Sequence, residues 1–523
     1  MHETIASETG DQTIDLVLDT INKLKQAIVF ANTKRSAEKT AEDIAKAIGK
    51  QRSLSEKETK EYEELSEKAL NTLSTPTKQC KRLAFCLKKG IAFHHAGLVH
   101  KQKEIIEDSF RKGLIKTICA TPTLSFGLDL PAYRAIMKDL RRFGHRGLDW
   151  IPTLEYLQMA GRAGRPKYDI TGQAIAIAST EPIKDEIYER YVKGEPEEVY
   201  SKLAVEPVLR TYLLSLIAAG FVKDKKQIID FFSKTFWAFQ YKDMTKLTSI
   251  IEKMLKLLKD YRFITSTEEE NEFQSAADMF NHEYKATPIG KRVAELYIDP
   301  YTANHIIQAL KASEKKEISE LSFLQMIAST LEMRPLLRVR KKEYEDIEEA
   351  LVKYSDSMLQ EEPSMYDEEY VEFLNSVKTA LFFKDWINEI DEEAILEKYS
   401  IRPGETRIKL NLADWLFYCS TEFARMIKKK DILKELTKLR LRLKHGAKEE
   451  LLPLLKLKGI GRVRARKLFS NRIKTIRDVK RSDPLKLSQI VGKKTAIKIK
   501  EQVGQKVEIA SPLKRKGQKG LKV

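Results

Sequence analysis

A chain of 523 residues, 42% apolar and 33% charged, is too long for one hydrophobic core and calls for about three or four domains. The absence of any apolar run near the roughly 18 residues of a membrane span, a polar start unlike a secretory signal, and four scattered cysteines without CxxC spacing exclude membrane-spanning, secreted disulfide-rich and zinc-ribbon classes and leave a cytoplasmic protein as the expectation. The net charge of +18 is unevenly placed: residues 446–523 carry 23 Lys and Arg against 6 Asp and Glu, which fits a polyanion partner through counterion release or, more simply, a solubilising tail.

Short β-branched runs alternate with helical stretches as far as residue 180. Strands are expected at 26–31, 91–94, 115–120 and 172–178, with helices at 34–48 and 101–112, a pattern of βαβ units around a parallel sheet. Residues 51–73, rich in Glu and Lys, read as an exposed helical insertion. Between 133 and 152, two apolar runs flank Arg141-Arg-Phe-Gly-His-Arg-Gly147, the pattern of a β-hairpin with a basic tip. From 181 onward helices dominate. Helices followed by two short strands, 261–265 and 284–287, suggest a winged helix over 201–300. A helical bundle is expected over 301–445, its longest helix near 406–430, followed by a compact basic helical unit at 446–505 and a basic tail.

The most specific string is Gln158-Met-Ala-Gly-Arg-Ala-Gly-Arg-Pro166. Its i, i+4, i+7 spacing places Gln158, Arg162 and Arg165 on one helical face, and two guanidiniums aimed at one point suit a triphosphate. This string resembles motif VI of superfamily 2 helicases. Residues 28–35 resemble motif IV, His94-His-Ala-Gly-Leu98 the motif after it, and Ala120-Thr-Pro-Thr-Leu-Ser-Phe-Gly-Leu-Asp-Leu-Pro131 motif V. The order of domains along the whole chain resembles the archaeal Hjm-type (Holliday junction migration) DNA helicases of the Ski-like group.

That resemblance implies a fold class of multidomain α/β plus mainly α: a second RecA-like domain, a winged helix, a ratchet bundle and a helix-hairpin-helix domain. It assigns Arg162, Arg165 and Gln158 to catalysis, Gly127 and Asp129 to nucleotide coupling, and Thr121 to the nucleic-acid backbone. The hairpin, about 135–150 with Arg141, Arg142, Phe143 and His145 near its tip, becomes a wedge that parts the duplex. On the long bundle helix, Arg407 and Lys409 are candidates for phosphates and Trp415 for base stacking, although Leu412, Leu416 and Phe417 around Trp415 equally suit a core. In Leu455-Lys-Leu-Lys-Gly-Ile-Gly-Arg-Val-Arg-Ala-Arg466, Gly459 and Gly461 permit a tight hairpin with Arg462 and Arg464 beside it, for phosphates or for protein docking. His94 and His95 read as a packed pair rather than a metal site or catalytic base.

A complete motor also needs a GxxxxGK[ST] loop and an acidic metal-binding strand, and the sequence holds neither. The resemblance then implies domains two to five of an ATP-dependent, three-prime to five-prime helicase for forked or branched DNA, with residues 1–25 as the linker that follows a first RecA-like domain. Such a chain binds DNA and does not hydrolyse ATP, which with Mg2+ belongs to the complete enzyme. By family, its partners are single-stranded and branched DNA, replication-fork proteins and a junction resolvase. A Ski-like RNA helicase fragment and a non-enzymatic DNA-binding protein with a degenerate RecA half are the alternatives.

Overall fold

The computed structural model describes all residues except 1–2, 52–53, 74, 126–129, 145–146, 165–170, 204, 268–282 and 508–523. The chain divides into two compact units. The first runs through Val199 and also takes in Glu392–Ile408, and the second comprises Tyr200–Asp391 and the chain from Lys409 onward.

In the first unit, β1 (after helix α1, Gln12–Asn22) spans Ala27–Phe30 and is followed by α2 (Lys34–Gln51), α3 (Glu56–Leu70) and α4 (Lys78–Leu87). Next come β2 (Ile91–His94), α5 (His100–Arg111), β3 (Thr117–Ala120) and β4 (Arg134–Met137). The hairpin strands β5 (Arg141–Gly144) and β6 (Gly147–Trp150) precede α6 (Thr153–Ala160), β7 (Gln173–Ala176) and α7 (Glu181–Ile187). The main sheet has the order β2-β3-β1-β4-β7 and every pairing in it is parallel. All four residues of β1, β2, β3 and β4 are buried, as strands covered by helices on both faces must be.

Three expectations change here. Residues 1–25 are not simply a linker. Asp11 caps α1 by accepting from the Thr13 and Ile14 N–H groups, and Val17, Leu18 and Ile21 enter the core of the sheet. The buried Arg134 of β4 holds α1 in place through Asp19, the Thr20 hydroxyl and the Leu16 carbonyl. Nor is the segment around α3 a free insertion: Tyr62, Leu65, Ser66 and Ala69 are buried, and the Tyr62 hydroxyl donates to the Leu114 carbonyl at 3.1 Å. The apolar residues recur every three or four positions in both helices, and the surrounding charge masked them. Finally, 134–137 belongs to the parallel sheet, so the hairpin proper is Arg141–Trp150, in the register Arg141↔Trp150 to Gly144↔Gly147.

The segment Glu392–Ile408, expected within the bundle, packs instead in the first unit. The Gly404 N–H donates to the Gly97 carbonyl at 3.0 Å, and a Cβ on Gly404 would stand 2.3 Å from the Leu98 carbonyl oxygen. Gly404→Ala is therefore expected to destabilise the first unit by about 1–3 kcal/mol through backbone displacement, read as a lowered thermal transition.

The second unit begins with α8 (Glu206–Ala218), α9 (Lys225–Ser233), α10 (Phe236–Tyr241) and α11 (Met244–Asp260). The antiparallel ribbon β8 (Ile264–Ser266) and β9 (Tyr284–Ala286) completes a winged helix, with Thr265 opposite Lys285. Then follow α12 (Pro288–Glu295), α13 (Pro300–Ala312), α14 (Glu320–Ala328), α15 (Tyr344–Tyr354), α16 (Tyr370–Ile387), α17 (Glu392–Tyr399, in the first unit), α18 (Pro403–Met426) and α19 (Lys430–His445). The basic unit folds as α20 (Leu452–Leu455), α21 (Arg462–Ser470), α22 (Ile476–Arg481), α23 (Pro484–Val491) and α24 (Lys493–Gln502), around its own core of Leu451, Leu454, Leu468, Leu487 and Ile499.

Candidate nucleic-acid and nucleotide site

Parallel α/β sheets present ligand sites beyond the carboxyl ends of their strands. In the first unit that edge carries Asn32 and Thr33 after β1, Ala96 after β2 and Thr121 after β3, and they line a cleft of about 620 Å³ together with Lys34, Pro122, Thr123, Arg142, Glu155 and Arg402. Thr121 is buried, its hydroxyl 2.9 Å from that of Thr123, and its N–H donates to the His94 carbonyl. The cleft's cations are held by carboxylates: Lys34 by Glu405, Arg142 by Glu155 at 2.8 Å, and Arg402 by Glu38 at 3.0 Å. Such pairing sets their positions while leaving part of each cation exposed to an incoming anion.

Beneath the cleft, Glu38 collects four donors. His95 Nε2 lies 3.1 Å from Oε1, Gln79 and Arg402 donate to the same oxygen, and Arg82 binds Oε2. The Gly97 N–H donates to His95 Nδ1 at 3.1 Å, which puts the ring proton on Nε2, facing Glu38. Burial pushes the Glu38 carboxyl up, but the His95 hydrogen bond and the Arg402 charge overrule it and hold its pKa down to about 2. Burial lowers the pKa of both His94 and His95, so both are neutral at pH 7. His94 Nε2 pairs with Glu107 at 3.0 Å. The two histidines are thus a hydrogen-bonded buried pair.

Motif VI departs from the expected helical face. Helix α6 ends at Ala160 with Gly161 as its C-cap, so Arg162 leaves in a turn rather than one helical turn above Gln158. The turn is clamped to the chain after motif V: the Ala132 N–H donates to the Arg162 carbonyl at 2.9 Å, and the Gly164 N–H to Ala132 at 2.7 Å. Gly164 has φ +97°, and a Cβ on Gly172 would lie 2.2 Å from the Gly164 nitrogen, so glycine is required on both sides of this crossing. The half-buried Arg162 donates from Nη2 to the Ser125 carbonyl, which joins motif VI to motif V. Gln158 is half-buried on α6. Arg165, Gly127 and Asp129 lie outside the described residues, as does His145 and the Phe143 side chain.

At the hairpin base, the Arg141 guanidinium lies 4.1 Å from the Trp150 ring centroid and bonds Glu186 at 3.1 Å, and the Asn32 amide reaches the Arg141 carbonyl. Arg142 is about half exposed and lines the cleft.

The helix α18 candidates separate. Arg407 is exposed and pairs with Glu392 at 2.9 Å. Lys409, proposed above for phosphates, is buried, and its ammonium donates to the Met333 and Pro335 carbonyls at 3.1 and 2.8 Å. Trp415 is partly exposed between the buried Ala413 and Leu416, at the margin of the bundle core.

In the basic unit Gly459 has φ +89° and Gly461 caps α21. Arg464 donates to the Gly459 carbonyl at 2.9 Å. Arg462 is committed elsewhere: it stacks on Trp386 at 4.6 Å and donates toward the Ile390 carbonyl. Arg466, which sequence reasoning passed over, binds Glu389 and Glu450, each at 2.6 Å, and locks this unit against the end of α16. Its acidic partners are distant in sequence, and no local signal could have named them.

Four protein-family models match: a helicase conserved C-terminal domain over residues 58–167, a helix-turn-helix domain over 186–265, an archaeal helicase domain 4 over 321–446, and a SAM-like helix-hairpin-helix tandem over 451–504. The chain is 37% identical to the ATP-dependent DNA helicase Hel308 of Methanococcus vannielii, across 96% of this chain and 69% of that protein. It is 38% identical to the Pyrococcus horikoshii Hel308 helicase and 36% to that of Methanocella arvoryzae, covering 66% and 67% of their lengths. The chain thus spans about two thirds of these relatives. At 36–38% identity across nearly its whole length, and with the archaeal helicase domain 4 matched beside the helicase C-terminal domain, the chain belongs to the Hel308 family of archaeal superfamily 2 DNA helicases.

Proposed function

We propose that this chain is the part of a Hel308 helicase that grips single-stranded DNA and completes the ATP site, in an enzyme that unwinds forked or branched DNA with three-prime to five-prime polarity during replication-fork repair. The observation that carries the reading is the cleft at the carboxyl edge of the sheet, where the N-terminus of α2, Thr121, Lys34 and Arg402 converge. Backbone N–H groups at a helix start, a hydroxyl and paired cations are the donors a phosphodiester backbone accepts from. Arg141 and Arg142 carry positive charge from this cleft to the hairpin wedge, and Phe143 is its stacking residue. Trp415, Arg407, Gly459, Gly461 and Arg464 extend the contacts, and Arg462 acts mainly in holding the helix-hairpin-helix unit to the bundle.

Gln158, Arg162 and Arg165 are assigned to ATP turnover, and Gly127 and Asp129 to relaying the nucleotide state. Among the described residues no group of three or more His, Cys, Asp or Glu is placed to hold a metal ion, and ATP with Mg2+ belongs to the complete enzyme. Since these 523 residues contain no phosphate-cradling GxxxxGK[ST] loop, the chain by itself binds DNA without turning over ATP. Replication-fork proteins and a junction resolvase are its partner classes, and the cytoplasm its compartment.

The test is a titration of fluorescent single-stranded and forked oligonucleotides, with structured RNA as competitor and ATP hydrolysis measured in parallel. The expected result is DNA binding that weakens steeply with salt, resists RNA competition and comes without ATP turnover. Preference for RNA would favour a Ski-like RNA helicase, and turnover by a homogeneous preparation would refute the division of the ATP site.

A further inference from the structure

Between the short helical turn at Leu331–Met333 and α15 the chain reads Arg334-Pro-Leu-Leu-Arg-Val-Arg-Lys-Lys342, and residues 336–340 form neither helix nor strand. A segment this basic and irregular is ordinarily loose surface. Here it is fastened. The Leu337 N–H donates to the Thr379 hydroxyl at 3.1 Å and the Val339 N–H to Asn375 Oδ1 at 2.7 Å, both acceptors on α16. From the same helix the buried Lys378 ammonium donates to the Arg338 carbonyl at 2.8 Å and to Glu343 at 2.6 Å. From α18 the buried Lys409 holds the Met333 and Pro335 carbonyls. Two ammonium groups withdrawn from water to hold backbone carbonyls are a costly way to fix a loop.

The fastening leaves the cations outward. Arg338, Arg340, Lys341 and Lys342 are exposed, and none makes an ion pair within 4.0 Å among the described residues. The nearby carboxylates are engaged: Glu343 by Lys378, and Glu372 by Arg334. Glu345 and Asp346 sit in the first turn of α15, where the helix's own N–H groups favour them. Fixing the backbone in advance removes the ordering cost that a flexible basic loop would incur on binding.

We propose that residues 338–342 form a preorganised phosphate track of the second unit, which holds the backbone of single-stranded DNA beside α18. In extended chain, alternate residues such as Arg338 and Arg340 repeat every ~6.6 Å, close to the step between neighbouring phosphates of a stretched single strand. This rests on the DNA-binding reading above and adds a contact surface to it.

The test uses the full chain and a fluorescein-labelled single-stranded oligonucleotide titrated across a salt series. Arg338→Gln, Arg340→Gln, Lys341→Gln and Lys342→Gln are combined in one variant. As a control for charge removed away from the track, three lysines of α3 are replaced together, Lys57→Gln, Lys60→Gln and Lys68→Gln. All seven side chains are exposed, so unchanged thermal transitions are expected. For single strands each phosphate contact contributes about 0.7 to the slope of log K against log salt. The strap variant is expected to lose about 1.5–3 from that slope and at least about tenfold in affinity at low salt, while the α3 variant keeps the slope of the parent. An unchanged slope in the strap variant, or equal losses in both variants, overturns the track with DNA binding intact. A parent chain that fails to bind the oligonucleotide overturns the DNA-binding reading itself, and the track with it.

Discussion

Replacing Arg162 by Ala in a Hel308 enzyme that carries both halves of the ATP site is expected to lower ATP turnover by at least about 10³-fold, with affinity for single-stranded DNA changed no more than a few-fold. A guanidinium that stabilises charge on a transferring phosphoryl group is worth about 10³–10⁵ in rate. In the structure Arg162 is held at both its backbone and its side chain. Its peptide is clamped by Ala132, and its side chain is anchored on the Ser125 carbonyl of motif V. Arg162→Lys keeps the charge but not the planar fork, and an intermediate rate is expected from it. The role is separated from a structural one by measuring turnover, DNA affinity and thermal stability on the same samples. Parallel loss of DNA binding or stability would show that Arg162 acts as a brace between motifs V and VI. Arg165→Ala is likewise expected to abolish ATP turnover while leaving DNA affinity within a few-fold.

The elements legible in the sequence are those whose signal is local. β1 to β3 stand out because strands covered on both faces are unbroken apolar runs, and 26–31, 91–94 and 115–120 enclose Ala27–Phe30, Ile91–His94 and Thr117–Ala120. Of the expected ribbon, 284–287 encloses β9, whereas 261–265 meets β8 only at residues 264 and 265. Legibility fails where a residue's role depends on a distant partner. Lys409 looks like any cation on an amphipathic helix, and only the fold shows that it caps carbonyls of residues more than seventy positions earlier. The i, i+4, i+7 spacing of Gln158, Arg162 and Arg165 invites a continuous helix. Gly161 and Gly164 end it instead, since glycine gives helix little support and Gly164 needs a positive φ to meet Gly172. Arg462 and Arg466 carry identical local signals, yet one stacks on Trp386 and the other fills a carboxylate pair.

The Glu38 network is the extreme of such distant partnership, since its members come from α2, α4, the loop after β2 and the residue before α18. Glu38→Gln is expected to destabilise the first unit by about 3 kcal/mol at pH 7, because removing one partner of a buried charge cluster strands the others. An amide has one acceptor oxygen where the carboxylate has two, so Arg82 or the group formed by His95, Gln79 and Arg402 must face an N–H. Ala96 and Arg402 line the cleft, and affinity for single-stranded DNA is expected to fall several-fold as they shift. The pH dependence separates charge from packing. The Glu38 pKa is lowered from 4.5 to about 2 in the folded protein, so its contribution is complete above about pH 4.5 and is lost as pH falls toward 2. Neutral, buried His95 adds acid lability in the same direction, because below its ordinary value near 6.5 only the unfolded chain takes up the proton freely. Denaturant titrations of parent and Glu38→Gln should therefore show a stability gap that is constant from pH 5 to 8 and narrows below pH 4.5. A gap of the same size at pH 3.5 and pH 7 would mean that shape, not the carboxylate's charge, is what Glu38 contributes.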